Sequence, residues 1–409
     1  MYMKHVVILG GGFGGVECYR KLTSLAGKKV RVTLINRNNY SLFTPMLHEV
    51  ATGSISRANI VQPLREFVTC CHNRFIEAEI KSVDINNKVV KTSEKDVSYD
   101  YLVVALGSTT NFFKTEGASE HSFPLKNMDD ATTLRNHILK QYERAAVTDD
   151  IDERKERTSF VIVGGGLTGV EMAGQLGDFI REMRKLYPEI PKSVPKITLV
   201  HAGDRILPRL APISSRKAKK ILGDKGVKCE LENRVTKVSP TSATLKDGTV
   251  ISTKTVIWAT GIKSSLPGIF PATLLSDRGL LEVDSDLAVA SHKEIFGVGD
   301  IIAWMGEKAN PPSTAQAATQ AGAIAANNVW ADIQGKDKKS FEFKSKGDLV
   351  PIGDWFAVAE VGRFKFAGRI AWWMRRTIFI QRLWNWTNRF KVTVEWTFNI
   401  FRGRDTSQF

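Results

Sequence analysis

The chain has 409 residues, 43% hydrophobic and 25% charged, with a formal net charge of +15. That length is too great for one ordinary core and suits two or three domains, and no run of about 18 uninterrupted apolar residues offers a membrane-spanning helix. Four cysteines, Cys18, Cys70, Cys71 and Cys229, show neither CxxC nor zinc spacing, which argues against a disulfide framework or a metal site and suits simple thiols in a reducing compartment.

The first element is an apolar run, residues 6–9, that breaks at once into Gly10, Gly11 and Gly12. Lys4 precedes it as a basic residue precedes a secretory leader, but the break makes it a buried strand of a protein that stays in the cytoplasm or its equivalent. Residues 6–17 return, nearly repeated, at 160–171, and each copy is followed by a β-branched strand, 30–36 and 196–201. Each copy reads as strand, glycine turn and helix start, so the chain holds two βαβ units of the dinucleotide-binding kind. Gly10 and Gly164 permit the tight turn, Gly12 and Gly166 let backbone approach a pyrophosphate, and Gly15 and Gly169 allow helix to pack closely on strand. One such turn also serves ordinary corners; two in the same context point to two bound dinucleotides.

Residues 101–108 read as a strand closing in a turn at Gly107, and 255–261 as a similar strand ending at Gly261. A third short strand, 295–300, closes on Asp300. A turn there lets the Asp300 carboxylate bond a flavin hydroxyl; the plain alternative is a cap for a helix starting near Ile301. Two sites together imply non-covalent FAD in the first and a nicotinamide cofactor in the second, with hydride passing between them. Glu171 sits just inside the second helix, where the helix dipole favours a carboxylate for structural reasons alone, as it does Glu17 in the first repeat. Gln316 and Gln320, four apart, share one helix face. Their neutral amides form a polar face, with alanines packed behind it.

Texture changes from about residue 344. Residues 361–409 hold ten Arg or Lys against Glu395 and Asp405, with five of the nine tryptophans. A helix over about 370–386 presents two apolar stripes: Trp372, Phe379, Leu383 and Trp386, and Ile370, Trp373, Ile380 and Trp384. Arg375, Arg382 and Arg389 lie between them at heptad spacing. One stripe suffices for the core, so the second is expected to press into lipid with the arginines at headgroups. A homodimer contact and a nucleic-acid surface are the competing readings. Beyond it, Val392, Val394, Trp396, Phe398 and Ile400 alternate as a strand would.

Several segments resemble the type II NADH dehydrogenases, single-subunit NADH:quinone oxidoreductases. They are residues 99–113, 42–47, 124–126 with 134–137, 315–320 (the AQxAxQ element), 344–347, 352–353 and 357–359. The resemblance spans almost the whole chain. It implies that Gln316 and Gln320 serve quinone beside the flavin, that Glu171 assists proton delivery, and that Thr44, Gly107 and Gly261 join the cofactor contacts. It calls for a second amphipathic helix where residues 392–400 alternate. Two departures stand out. The acid usual on the flavin ribose is Asn36, whose amide still accepts a hydroxyl proton. The acid that favours NADH over NADPH is His201, which leaves NADPH open, the more so with Arg205 nearby.

The expected architecture is α/β with two dinucleotide-binding (Rossmann-like) domains, the second inserted in the first, plus a membrane-docking tail. Residues 1–116 and 259–340 would hold FAD, 117–258 the nicotinamide cofactor, and 341–409 an anionic membrane surface at the cytoplasmic face. The implied reaction is hydride transfer from NADH to FAD, then two electrons to a quinone without proton pumping. A sulfide:quinone oxidoreductase would need a redox cysteine pair near the flavin, and no suitable one is seen. A flavin-bound interaction protein with a nucleic-acid-binding tail is the reading from another class; nucleic acid is the less favoured partner.

Overall fold

The computed structural model describes residues 3–68, 70, 72–305, 310–402 and 404–408. Cys71 and the side chain of Ile400 lie outside what is described. The chain is a mixed α/β protein of two compact units.

The first unit comprises Met1–Leu42, Val61–Thr109 and Ile262–Ser345. At its centre Lys4–Leu9 lies between Val30–Asn36 and Tyr101–Val104, all parallel. Arg74–Glu77 extends one side and His292–Gly297 the other, with Ala288–Val289 antiparallel at that edge. Val6, Val7, Ile8, Leu9, Leu34 and Val103 are sealed from water, as strands buried on both faces must be. Helices Phe13–Ala26 and Ala315–Ile333 pack backbone against backbone: a Cβ on Gly322 would stand 2.2 Å from the Gly14 carbonyl oxygen. That approach is what the alanine-rich run permits. Among the described residues no α-helix starts near Ile301. Gly299–Ile301 is a single 3-10 turn that runs into strand Ile302–Trp304, and the helix begins only at Ala315, where the Thr314 hydroxyl accepts from the Ala317 N–H.

The second unit comprises Phe43–Ile60, Thr110–Gly261 and Lys346–Phe409. Ser159–Val163 lies between Lys196–Val200 and Thr255–Trp258 in a parallel sheet, with Val227–Glu230 and Ser122–Pro124 outside them. The Leu167–Leu186 helix follows the second glycine turn. Three antiparallel strands, Asp348–Pro351, Ala357–Val361 and Phe364–Gly368, precede two further helices.

Those last helices correct the reading of the tail. The first, Arg369–Arg382, ends earlier than expected because Leu383 is extended and the Arg389 guanidinium donates to its carbonyl. The second, Trp386–Arg402, is a helix where alternation had suggested a strand. Trp372 and Leu383 are buried, Trp372 beside Ala357 and Ala359. Trp384 was expected to face lipid but packs edge-on to Phe43. Arg375 was expected at headgroups but is buried, and Arg389 is bound to backbone carbonyls. Of the three heptad arginines, Arg382 alone is exposed. Among the described residues no helix is long and apolar enough to cross a membrane.

Candidate functional site

In the first unit the glycine turn is shaped by backbone. Gly10 has φ +104°, and a Cβ on Gly15 would fall 1.9 Å from the Gly10 oxygen. Gly12, at the N-cap of the Phe13–Ala26 helix, has open space where a Cβ would be, and no side chain caps that helix. The turn therefore presents a positive helix end to open space, which fits a pyrophosphate. Asn36 Oδ1 accepts from the Gly11 N–H at 2.8 Å and its Nδ2 donates to the Asn38 carbonyl. The amide thus holds the turn and keeps one lone pair and one N–H for a ribose. The Ser108 hydroxyl donates to Asp300 at 2.7 Å, and Gly107, with φ +66°, has open space on its Cβ side. These residues fit a flavin dinucleotide.

The second unit repeats the device. Gly164 has φ +113°, a Cβ on Gly169 would lie 1.8 Å from the Gly164 oxygen, and Gly166 faces open space. His201 Nδ1 accepts from the Gly165 N–H at 3.2 Å, the counterpart of Asn36 and Gly11. Burial lowers the His201 pKa, so the ring is neutral near pH 7. Arg205 donates to the carbonyls of Leu210 and Pro208, which ties its guanidinium to backbone. At Gly261 the Phe113 ring stands where a Cβ would be, 2.3 Å away, so packing alone requires glycine there. Thr44 is exposed in the turn Thr44–Met46.

Gln316 and Gln320 do separate things. The Gln320 amide clasps backbone, donating to the Lys344 carbonyl at 2.9 Å and accepting from the Lys344 N–H at 3.1 Å. Its polar atoms are committed to the backbone of the segment that precedes strand Asp348–Pro351, contrary to the expected role toward quinone. Gln316 sits one turn earlier, in the first turn of the helix.

Glu171 belongs to a buried polar cluster that sequence reasoning missed apart from Glu171 itself. His48 Nδ1 lies 3.8 Å from Glu171 Oε2, and Glu171 is 14% exposed. Arg375 donates to Glu49 Oε1 at 2.8 Å and the Trp396 indole donates to Oε2 at 2.9 Å. Burial opposes ionisation of Glu49, but Arg375, together with His48 and Arg376, outweighs it and holds the carboxyl below its usual range. Arg376 lies between the rings of Trp372 and Trp396, 3.8 and 4.4 Å from their centroids. Arg404 pairs with Asp354 at 2.7 Å. Burial pushes the Glu171 pKa up to about 8, with Arg375 opposing and Glu49 adding to the rise. Glu171 therefore carries a proton at neutral pH. Glu17 does not share that setting; it is partly exposed beside Arg20. A signal existed in His48 and Glu49, adjacent ionisable residues beside an apolar run, but nothing local showed what they meet.

The family model for the pyridine nucleotide-disulphide oxidoreductases matches residues 4–322. The type II NADH:quinone oxidoreductase NdhA of Mycobacterium tuberculosis is 32% identical, over 98% of this chain and 88% of its own length. That of Staphylococcus saprophyticus is 30% identical, over 92% of this chain and 94% of its own. Among solved structures, NDH2 from Plasmodium falciparum in complex with NADH superposes with TM-score 0.91 at 23% identity, covering 99% of this chain and 100% of that one. The sulfide:quinone oxidoreductase of Aquifex aeolicus shares the fold, with TM-score 0.77 at 21% identity over 98% of this chain and 96% of that one. Sheets, glycine turns and these matches together define a pyridine nucleotide-disulphide oxidoreductase. Within that class the chain belongs to the type II NADH:quinone oxidoreductases.

Proposed function

We propose that this chain oxidises NADH and reduces a quinone through bound FAD, as a peripheral enzyme at the cytoplasmic face of an anionic membrane. The observation that carries it is the pair of open glycine turns at Gly12 and Gly166, one per parallel sheet, in a chain of this family. In this reading the two sheets are Rossmann-like domains, FAD at 1–116 and 259–340 and nicotinamide at 117–258. Gly10, Gly12, Gly15, Asn36, Gly107 and Asp300 hold FAD; Gly164, Gly166, Gly169 and His201 hold the nicotinamide cofactor. When bound, FAD supplies a two-electron centre that accepts hydride and hands electrons on.

Reduction of a quinone to quinol takes up two electrons and two protons. Glu171, protonated at neutral pH, supplies one of those protons, and Gln316 donates a hydrogen bond to a quinone oxygen. Residues 341–409 dock on lipid. The exposed apolar side chains Ile370, Trp373, Trp386, Phe390 and Phe398 support that role. Anaerobic stopped-flow tests the reading: NADH should bleach a flavin that a quinone then restores, whereas protein that binds no FAD, or whose reduced flavin ignores quinone, would overturn it.

A further inference from the structure

His48 lies in the short helix Leu47–Ala51 and is 3% exposed. Its two ring nitrogens address two carboxylates: Nδ1 is 3.8 Å from Glu171 Oε2, and Nε2 is 3.8 Å from Glu49 Oε1. Nε2 is sealed from water and has no hydrogen-bond partner. A neutral imidazole has one N–H and one lone pair, so it can donate to one carboxylate at most; a protonated ring donates to both. The separations exceed an N–H···O bond by about 0.8 Å, a gap that small side-chain rotations close. Every other charged group facing the ring has its own engagement. Arg375 bonds Glu49, Arg376 lies between two indoles, and Arg404 pairs with Asp354. Glu171 has His48 as its ionisable partner within 4 Å.

We infer that His48 is the positioning residue for Glu171: imidazole and carboxyl hold one proton between them, and the carboxyl passes it to the quinone. This rests on the reading of Glu171 as proton donor. Taken singly, the Glu171 carboxyl is pushed up to about 8 by burial and the imidazole down to about 3. Once Glu171 becomes an anion, its charge 3.8 Å from the ring favours the imidazolium, whereas the Glu49 charge is offset at the ring by Arg375. The incoming proton then has two places to rest, so the observed titration belongs to the pair. The pair holds its proton more firmly than the carboxyl alone would, and the alkaline limb of quinone reduction lies at correspondingly higher pH.

The test begins with the unmodified protein. Nitrogen-15 NMR of labelled histidine should show the His48 ring responding with the same midpoint as the infrared band of the Glu171 carboxyl. In Glu171→Gln that step should vanish from the His48 signal. A His48 ring indifferent to the Glu171 titration would overturn the inference, whether or not any His48 variant folds. Stopped-flow reoxidation of the flavin by quinone, between about pH 6 and about pH 10, supplies the second arm. His48→Gln keeps a hydrogen-bond donor but cannot take the proton. It should move the alkaline limb down by about 0.3 units, the gain from two equal resting places, and an unmoved limb overturns the inference. If Glu171→Gln leaves quinone reduction untouched, the donor reading of Glu171 falls, while the shared NMR midpoint still decides whether the proton is shared.

Discussion

Arg375 donates to Glu49 across 2.8 Å with both side chains almost sealed from water, at 2% and 4% exposure. A residue whose heptad spacing suggested a membrane headgroup contact is thus an internal counter-charge, fastening the Arg369–Arg382 helix to Leu47–Ala51. Trp396 completes the carboxylate's hydrogen bonds from the following helix. Two segments more than 300 residues apart meet on one acid.

Replacing Arg375 with Met should destabilise the protein by about 3–5 kcal/mol, since the buried Glu49 charge loses its partner. Glu49→Gln with Arg375→Met should recover much of that loss, because no bare charge remains. The folded-state pKa of Glu49 is lowered. Its contribution is therefore present above the unfolded value of about 4.3 and disappears as pH falls through the folded value. Thermal melts of both variants across acid pH check this; a single variant as stable as the parent would refute it.

The two glutamines should part company. Gln316→Ala is expected to slow flavin reoxidation by quinone several-fold, about 1 kcal/mol for one lost hydrogen bond, with NADH-driven reduction nearly intact. Gln320→Ala releases the Lys344 backbone instead. It should lower the melting temperature and affect both half-reactions alike. Selective loss of quinone reduction in the Gln320 variant would reverse the assignment.

Much of this was legible in the chain and some of it could not be. The glycine turns could be read because backbone geometry permits few residues there, and Gly10 and Gly164 do adopt the positive φ that turn demands. Asn36 and His201 stand out in the sequence as an amide and an imidazole where an acid was expected. Their second task, accepting from Gly11 and Gly165, left no mark in the sequence. Residues 392–400 misled for a definable reason. Val392 and Trp396 are buried, one helical turn apart, while Phe398 lies one turn beyond Val394 on a more exposed face. Two interleaved stripes of period four imitate a strand's period of two. The His48–Glu49–Glu171–Arg375 cluster was hidden because its members are remote in sequence, and each has an ordinary local explanation.

Cofactor choice turns on His201. A neutral imidazole neither repels a 2′-phosphate nor accepts both ribose hydroxyls, so NADPH should reduce the flavin at a rate not far below NADH. His201→Glu should favour NADH by about tenfold or more, as a carboxylate repels the phosphate and still accepts the Gly165 N–H. Because the ring's pKa is lowered, its charge appears only as pH falls, and relative use of NADPH should rise in that direction. Reduction rates with each cofactor at two pH values decide it. A parent protein that already rejects NADPH about a thousandfold would place discrimination elsewhere.

The tail supplies the last prediction. On the Trp386–Arg402 helix, Trp386, Phe390 and Phe398 are exposed, while Trp396 on the opposite side is buried against Glu49. Ile370 and Trp373 are exposed on the helix before it. Substituting Trp386, Phe390 and Phe398 together with Ser should cut sedimentation with anionic vesicles severely and leave the melting temperature nearly unchanged. These side chains are more than half exposed, and lipid that covered them would contribute about 25 cal/mol per Å² removed from water. Basic residues nearby add about 1 kcal/mol each at an anionic surface, a contribution that salt screens. Binding by the parent should therefore weaken at high ionic strength without vanishing, whereas residual binding of the triple variant should vanish. Trp396→Ser, by contrast, should destabilise the protein and unseat both helices. If the triple variant still binds vesicles like the parent but sediments as a smaller particle in ultracentrifugation, the face is a contact between two copies of the chain and the membrane assignment is wrong.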